Sequence, residues 1–218
     1  MKKIKFLTII AIVAISYSCN NSELQGVLNE SETGIIVSEE EKAKFQNQIE
    51  TFNTFTKGFY NEDIDLLMGV MADSAKWSPP SYNGNQVLDV VAFRAAVTNY
   101  FDTFDKITFN EGEGLVGSDN AFWSGSLYSA GETNTDPSVM RVYGTWSMVH
   151  TKTSAPVYNK WYGVLTFNED GKIAVFSDWM DVGGMETQIQ NFVDVNSHVC
   201  DENCGKEGHV CPHHPEIN

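Results

Sequence analysis

The chain has 218 residues, of which 14 are Lys or Arg and 29 are Asp or Glu, so its formal net charge at pH 7 is −15. Such an acidic chain repels nucleic acid and anionic lipid headgroups, and we exclude both as partners. The length suits one domain with a sizeable hydrophobic core, flanked by shorter segments.

The first 18 residues are typical of a secretory signal peptide. A basic segment precedes an apolar run from Phe6 to Ile15, which is too short to span a membrane. Cys19 follows at the position where a bacterial lipoprotein is lipidated after cleavage. We therefore predict a lipid anchor at Cys19 in a bacterial cell envelope, on the periplasmic or cell-surface side. The residue three before it is Ser16 instead of the usual Leu, so ordinary cleavage and secretion is the alternative.

Residues 19–38 lack apolar periodicity and are predicted to form a tether to one domain over 39–195. Three helices are predicted at the start of this domain. Ser38 and Glu41 have the spacing of a capping box before the first helix. Residues 61–63 mark the start of the second, shorter helix. The apolar stripes of the three helices are Phe45, Ile49, Phe52, Phe55 and Phe59; Ile64, Leu67, Met68 and Met71; and Val90, Phe93, Val97, Tyr100, Phe101 and Phe104.

Strand patterns dominate the rest of the domain. A short extended piece at 75–80 lies between the second and third helices and ends at two prolines. After Lys106, alternation of apolar and polar residues predicts strands over 106–116, 121–129, 138–151, 157–167 and 172–179, with turn signals at 117–120, 131–137 and 168–171. Helices followed by hairpins predict an α+β domain whose helices pack on one face of a bent antiparallel sheet.

Several aromatic side chains are candidates for a ligand pocket. Tryptophan and tyrosine combine an apolar ring with a polar edge, and this combination is typical of small-molecule sites. The predicted pocket residues are Tyr60, Trp77, Tyr143, Trp146 and Trp161. Core packing is the alternative interpretation of each tryptophan. His150 shares an apolar strand face with Trp146, which is typical of a hydrogen-bonded core histidine, and a proton-transfer role is the functional alternative.

The segment 196–218 contains three of the four cysteines and four of the five histidines of the chain. Thiolates and imidazoles are ligands that zinc and copper prefer, and four of them complete a tetrahedral site. The candidate metal ligands are Cys200, Cys204, His209, Cys211, His213 and His214. Outside the cytoplasm a disulfide between two of the three cysteines is an alternative, and a reduced, disordered tail is a third.

The order of these elements resembles the nuclear transport factor 2-like superfamily, in particular its SnoaL-like branch of polyketide cyclases and related proteins. Residues 60–77, YNEDIDLLMGVMADSAKW, resemble the second helix of that fold running into its first strand. Residues 171–188 resemble its closing strand, with an Asp-aromatic-x-Asp motif and a downstream Gln. The resemblance covers about 40–190. It implies a cone-shaped fold, with three N-terminal helices on a strongly bent antiparallel sheet and a pocket between the two layers.

The resemblance also implies a candidate catalytic residue. In enzymatic members an acid on the closing strand transfers a proton, and the matching residue is Asp178, whose burial in an apolar pocket would raise its pKa. The epoxide-hydrolase pattern is incomplete, because Ser177 precedes this acid and the neighbouring strand has Arg141-Val142-Tyr143 instead of Arg-x-Asp. The ketosteroid-isomerase arrangement needs a second acid, and the sequence does not indicate one.

Two functional hypotheses follow. The first is an envelope lipoprotein whose pocket binds a small apolar or aromatic molecule. The second is a SnoaL-like isomerase, cyclase or hydrolase that uses Asp178 as general acid or base, with His150 as a candidate partner. The missing second acid and the missing Arg-x-Asp favour the first. The resemblance further implies that a homodimer could form through the outer face of the sheet.

Overall fold

The computed structural model describes residues 37–112, 114, 117–125 and 137–197. The predicted signal peptide, the lipidation site Cys19 and the six candidate metal ligands of the tail lie outside the described residues. Within the described ranges, no helix combines the length and the apolar character needed to cross a bilayer.

Helices enclose one side of a seven-stranded sheet in the described part of the chain. The helices are α1 (Glu39–Asn61), α2 (Ile64–Gly69), α3 (Val90–Thr103) and α4 (Val182–Ser197). The strands are β1 (Met71–Ser78), β2 (Leu88–Asp89), β3 (Phe104–Glu111), β4 (Phe122–Ser124), β5 (Val139–His150), β6 (Pro156–Phe167) and β7 (Ile173–Met180). A 3-10 turn, Ser118–Asn120, precedes β4.

The first three helices begin at side chains that cap them. Ser38 and Glu41 form the predicted capping box, in which each side chain accepts a hydrogen bond from the backbone of the other residue. Asp63 caps α2 and Asp89 caps α3, each by accepting two backbone N–H groups of the first turn. The three predicted N-terminal helices are therefore confirmed. The assignment of Met71 to the second helix is wrong, because α2 ends at Gly69 and Met71 begins β1.

The sheet has the order β2-β1-β7-β6-β5-β3, and β4 also pairs with β5. β3 lies along the second half of β5 and β4 along its first half, so the two short strands share one edge. Pairing in the described sheet is antiparallel except between β1 and β7, which run parallel. The parallel pair is a difference from the predicted antiparallel sheet. β7 lies between β6 and β1 in the sheet. It runs antiparallel to β6 on one side and parallel to β1 on the other.

The three long strands agree with the predicted strands to within about one residue at each end. The predicted strand over 106–116 is shorter in the structure and ends at Glu111, since Gly112 follows with a φ of +68° and turns the chain. The predicted turn at 168–171 is confirmed by a hydrogen bond from the Gly171 N–H to the Asn168 carbonyl. β2 and α4 were not predicted from the sequence.

Aromatic rings dominate the core between helices and sheet. Phe52 of α1 is fully buried and contacts rings from three strands, Phe109 at 5.4 Å, Phe122 at 5.9 Å and Trp161 at 5.8 Å between centroids. Along β5 every second residue from Met140 faces this core, as the alternation predicts. The α+β arrangement follows from these contacts, because α1 supplies one apolar face and the inner side of the sheet supplies the other.

Candidate functional site

An apolar cavity of about 450 Å³ remains between α1, α3, α4 and the inner face of the sheet. In the described part of the chain, nine aromatic side chains line it: Phe55, Phe59, Trp77, Phe93, Tyr100, Phe104, Trp146, Trp161 and Phe176. The exposed residues Ser81, Asn99 and Glu186 also line it, and they mark the side that opens to solvent. This size and composition are typical of a site for a small organic molecule.

Asp178 is the buried carboxylate of this cavity. It lies on β7, faces inward in alternation with Phe176, and is 5 % exposed. Each of its oxygens accepts one indole hydrogen bond: Trp77 Nε1 donates to Oδ1 and Trp161 Nε1 donates to Oδ2, both at 3.1 Å. Two donors from two different strands therefore hold the carboxylate in one orientation.

Gly163 allows Trp161 to reach this carboxylate. Gly163 lies opposite Asp178 in the β6–β7 ladder, two residues after Trp161 on the same face of β6. A Cβ atom at Gly163 would lie 2.1 Å from the Trp161 ring, so the ring occupies the space that a side chain would take. The indole therefore lies along the strand towards Asp178, and the sequence Trp161-Tyr162-Gly163 is needed for the second hydrogen bond.

Burial in this apolar cavity raises the pKa of the Asp178 carboxyl to about 6 from an ordinary value of 3.8. The hydrogen bonds from Trp77 and Trp161 act in the opposite direction, because they stabilise the ionised form. Removal of the carboxylate from water is the larger effect. A carboxyl group with this pKa can exchange a proton near neutral pH.

Tyr100 of α3 adds a second polar group to the cavity. Its hydroxyl lies 3.7 Å from the Met180 sulfur and 3.5 Å from the Met185 sulfur, which are weak hydrogen-bond acceptors. Burial, together with the negative charge of Asp178, raises the pKa of the Tyr100 hydroxyl well above its ordinary value. Tyr100 therefore stays protonated at neutral pH, and its hydroxyl can donate a hydrogen bond to an oxygen of a bound molecule.

Hydrogen bonds among β6, Asp181 and α4 hold α4 beside the cavity. Asp181 caps α4, since its Oδ1 accepts the Gly184 N–H at 2.8 Å. The buried Asn159 side chain binds both the N–H and the carbonyl of Asp181, each at 3.0 Å. Gln188 makes the same kind of paired contact with the backbone of Tyr158, at 2.9 Å in both directions. These contacts place Met185 and Ile189 against the cavity.

The structure brings together four of the residues that the sequence suggested. Trp77, Trp146, Trp161 and Asp178 all line the cavity, although Trp77 and Asp178 are 101 residues apart in the chain. Their meeting follows from the parallel pairing of β1 with β7 and the antiparallel pairing of β6 with β7.

Tyr60 and Tyr143 were predicted to line the pocket, but neither residue lines the cavity. Tyr60 lies in the last turn of α1 and is 65 % exposed. Tyr143 faces the outer side of the sheet, where its ring stacks on Tyr162 at 4.8 Å and Tyr162 stacks on Trp179 at 5.2 Å. Strand alternation alone assigns Tyr143 to the face opposite Trp146, so the pocket assignment of Tyr143 ignored that signal.

His150 also lies outside the cavity lining. It is the last residue of β5, and its Nδ1 lies 2.8 Å from the Thr153 hydroxyl in the turn that leads to β6. Its ring packs against Phe104 at 5.9 Å. The structure therefore does not bring His150 to Asp178, and these contacts are those of a turn and packing residue.

The sequence reasoning missed the contribution of α4 to the site. Val182, Met185 and Ile189 line the cavity, and their spacing of three and four residues is the helical signal that could have predicted this helix. The two adjacent glycines, Gly183 and Gly184, obscured that signal because glycine is a poor helix former. Tyr100 was placed in an apolar stripe, but its hydroxyl was not recognised as part of a site.

Among the described residues, no group of three or more His, Cys, Asp or Glu side chains could hold a metal ion. The predicted metal ligands of the tail lie outside the described ranges. The described site is an apolar cavity with the buried carboxylate of Asp178 and the half-buried hydroxyl of Tyr100.

No protein-family model and no curated protein matches this sequence. Solved structures do match its fold. PrhC from Penicillium brasilianum has a TM-score of 0.53 at 10 % identity, over 71 % of this chain and 92 % of that chain. IdmH, a putative polyketide cyclase from Streptomyces antibioticus, has a TM-score of 0.51 at 12 % identity, over 66 % and 98 %. AclR, a putative hydroxylase from Streptomyces galilaeus, has 0.50 at 8 % identity, over 67 % and 86 %.

These likenesses concern the fold, since the identities are 8 to 12 %. The described part of the chain has the cone-shaped nuclear transport factor 2-like fold that the sequence resemblance implied, and this prediction is confirmed. Fold alone does not select a reaction or a ligand, so the function has to be argued from the cavity.

Proposed function

We propose that this nuclear transport factor 2-like domain binds a small apolar or aromatic molecule in the cavity beside Asp178. The observation behind the proposal is the cavity itself, about 450 Å³ of space with aromatic walls. Binding of an apolar molecule in such a cavity is favourable, because it removes apolar surface from water. The carboxylate of Asp178 and the hydroxyl of Tyr100 would orient the bound molecule, since they offer an acceptor and a donor.

A neutral, polarity-sensitive dye tests this proposal. We expect the full chain to bind one equivalent of prodan with a blue shift of its emission, because the dye would leave water for an apolar site. Ala96→Trp should weaken this binding at least about tenfold, since Ala96 lines the cavity and an indole there would fill it. Ala95→Trp is the matched control, because Ala95 is exposed on the same helix and does not line the cavity.

Two outcomes would contradict the binding proposal. One is the absence of saturable binding by the wild-type chain. The other is an equal loss of binding in Ala95→Trp and Ala96→Trp, which would place the dye on the surface of α3. Circular dichroism of both variants would confirm that they are folded.

One observation favours proton transfer as a second candidate function. Asp178 has a pKa raised to about 6 and lies in the same cavity as the protonated Tyr100 hydroxyl. A base beside a hydrogen-bond donor can remove a proton next to a carbonyl group while the donor stabilises the developing charge. Hydrogen-to-deuterium exchange at C2 of 1-tetralone in D2O, followed by NMR, would reveal this activity. Exchange by the wild type that is lost in Asp178→Asn supports it, and equal rates exclude it for this probe.

We also propose that the domain is held at the bacterial cell envelope by a lipid on Cys19 and ends in a Cys/His tail that binds zinc or copper. The basis is the sequence alone, namely the signal-like segment before Cys19 and the clustering of thiols and imidazoles in 198–218. Replacement of Cys19 by Ala should move the protein from the membrane fraction to the soluble fraction of the producing cells. An unchanged distribution would argue against the anchor.

A further inference from the structure

The charge inside the cavity has one sign. Two carboxylates line it, Asp178 in the interior and Glu186 at the exposed side. Among the described residues, none of the side chains that line the cavity is Lys, Arg or His. A carboxylate or phosphate ligand would therefore meet repulsion in this cavity without a compensating cation. The chain as a whole also has a formal net charge of −15, which raises the local concentration of cations near the opening.

The ionised Asp178 has unused capacity to accept hydrogen bonds. A carboxylate can accept about four hydrogen bonds, whereas the two indoles provide one to each oxygen and the backbone N–H of Asp178 adds a further interaction. Both donors are neutral, so they orient the charge without neutralising it. An ionised group that is 5 % exposed and has no cationic partner among the described residues is costly to bury, and a cation brought in by a ligand would offset that cost.

Aromatic rings line the same cavity as the carboxylate. The Phe93 ring meets Trp77 edge to face at 5.1 Å and Phe176 at 5.7 Å, and Trp161 lies 6.0 Å from Phe176. Two of these rings are the indoles that bind Asp178. The faces of aromatic rings attract cations, and tryptophan does so most strongly. The same walls also bind the hydrocarbon part of a ligand, so the cavity suits a molecule that is both apolar and positively charged.

We propose that the natural ligand is an apolar organic amine whose ammonium group pairs with the Asp178 carboxylate and whose hydrocarbon part fills the aromatic cavity. This inference rests on the proposed function, since it names the chemical class of the molecule that the cavity binds. It differs from binding of a neutral aromatic compound because it requires a positive charge on the ligand at the position of Asp178.

Four probes with one ring system separate charge from shape. The amine 1-naphthylmethylamine, its near-isostere 1-ethylnaphthalene, the neutral donor 1-naphthylmethanol and the anion 1-naphthylacetate would be titrated into the full chain by calorimetry at pH 7.5. We expect the amine to bind at least about tenfold more tightly than the alcohol and the hydrocarbon, because a hydrogen bond between charged groups is stronger than its neutral counterpart. The anion should bind most weakly.

Two further measurements assign the preference to Asp178. In Asp178→Asn the amine should lose its advantage over the alcohol, whereas Asp170→Asn, in the exposed turn between β6 and β7, should keep it. The advantage of the amine in the wild type should also shrink at least about threefold at pH 5, because the Asp178 carboxyl, with its pKa near 6, then becomes protonated. The pH comparison remains available if Asp178→Asn does not fold.

The outcomes distinguish this inference from the proposed function. If the hydrocarbon or the alcohol binds as tightly as the amine, the cavity is a ligand site but the positive charge is not recognised, and the amine proposal is wrong. The same holds if the amine advantage persists in Asp178→Asn. If none of the four probes binds, the amine proposal and the proposed small-molecule function both fail.

Discussion

At the scale of single residues, Asp178 stands between two opposing effects. The apolar surroundings disfavour its charge, and the indole N–H groups of Trp77 and Trp161 favour it. The first effect is larger, so the folded state binds the Asp178 proton more tightly than the unfolded chain does. The buried Asp178 carboxylate therefore lowers the stability of the fold at neutral pH, where it is ionised, but it provides a charged group for binding. Many functional sites combine these two effects.

This balance predicts a pH dependence of stability. A group whose pKa is raised in the folded state stabilises the fold when protonated, and that contribution is lost as the pH rises from about 4 through about 6. The free energy of unfolding of Asp178→Asn, relative to wild type, should therefore increase by about 2 kcal/mol between pH 4 and pH 7.5. Urea unfolding of both proteins at several pH values measures this difference.

The same series on Asp170→Asn provides the control, because Asp170 is exposed in the turn before β7. Its difference from wild type should stay nearly constant over this pH range. A constant difference for Asp178→Asn as well would mean that the Asp178 carboxyl is not held in an apolar environment.

At the scale of elements, α4 completes the cavity, and side-chain amides attach it to β6. β6 extends beyond its pairing with β7, which ends at the Trp161–Met180 pair, so Tyr158 and Asn159 have no strand partner on that side. The Gln188 side chain bonds the Tyr158 backbone as a strand would, and the Asn159 side chain bonds the Asp181 backbone. The Gln188 side chain therefore provides hydrogen-bond partners for the Tyr158 N–H and carbonyl at this strand edge, and these bonds hold α4 beside the site.

We predict that Gln188→Ala loosens α4 without unfolding the sheet. Amide hydrogen exchange within Val182–Ser197 should accelerate, because the variant loses two hydrogen bonds to Tyr158 and one to the Gly184 carbonyl. The free energy of unfolding should fall by only about 1 kcal/mol, because Tyr158 is exposed and water can replace the lost partner. Exchange of the β5 amides should not change.

Gln190→Ala is the matched control on the same helix. The Gln190 side chain donates a hydrogen bond to Asp194 within α4. Mass-spectrometric exchange data that show equal acceleration in both variants would contradict the attachment of α4 through Gln188.

At the scale of the whole molecule, the acidic chain combines a described domain with two terminal segments whose properties are proposals from sequence. The N-terminal segment would determine where the domain is held, and the tail would provide a separate metal site. The described residues that line the cavity lie between Phe55 and Ile189.

We predict that residues 20–218, secreted from a bacterial host, have a native mass that exceeds the denatured mass by one zinc or copper ion. A chelator should remove this extra mass, because thiolates and imidazoles of the tail would be the ligands. Replacing both Cys200 and Cys204 by Ser should abolish it. Equal native and denatured masses that are two hydrogens below the sequence mass would instead indicate a disulfide.

The local pattern of the chain was sufficient for much of the fold. Capping side chains such as Ser38 and Asp63 predicted where helices begin, since a cap acts on backbone groups two or three residues away. Alternation along β5 predicted which residues face the core, because successive strand residues point to opposite sides. The pattern was weaker where glycines interrupt it, and α4 was missed for that reason.

The candidate site required contacts between elements that are far apart in sequence. The sequence suggested Trp77 and Trp161 as site residues, and its resemblance to the superfamily implied that Asp178 lies in an apolar pocket. Only the tertiary structure showed that both indoles donate to Asp178, that Tyr100 shares the cavity, and that Tyr60 and His150 lie outside it. The physical reason is that local periodicity determines which face of an element is apolar, whereas strand register and helix docking determine which side chains meet across the core.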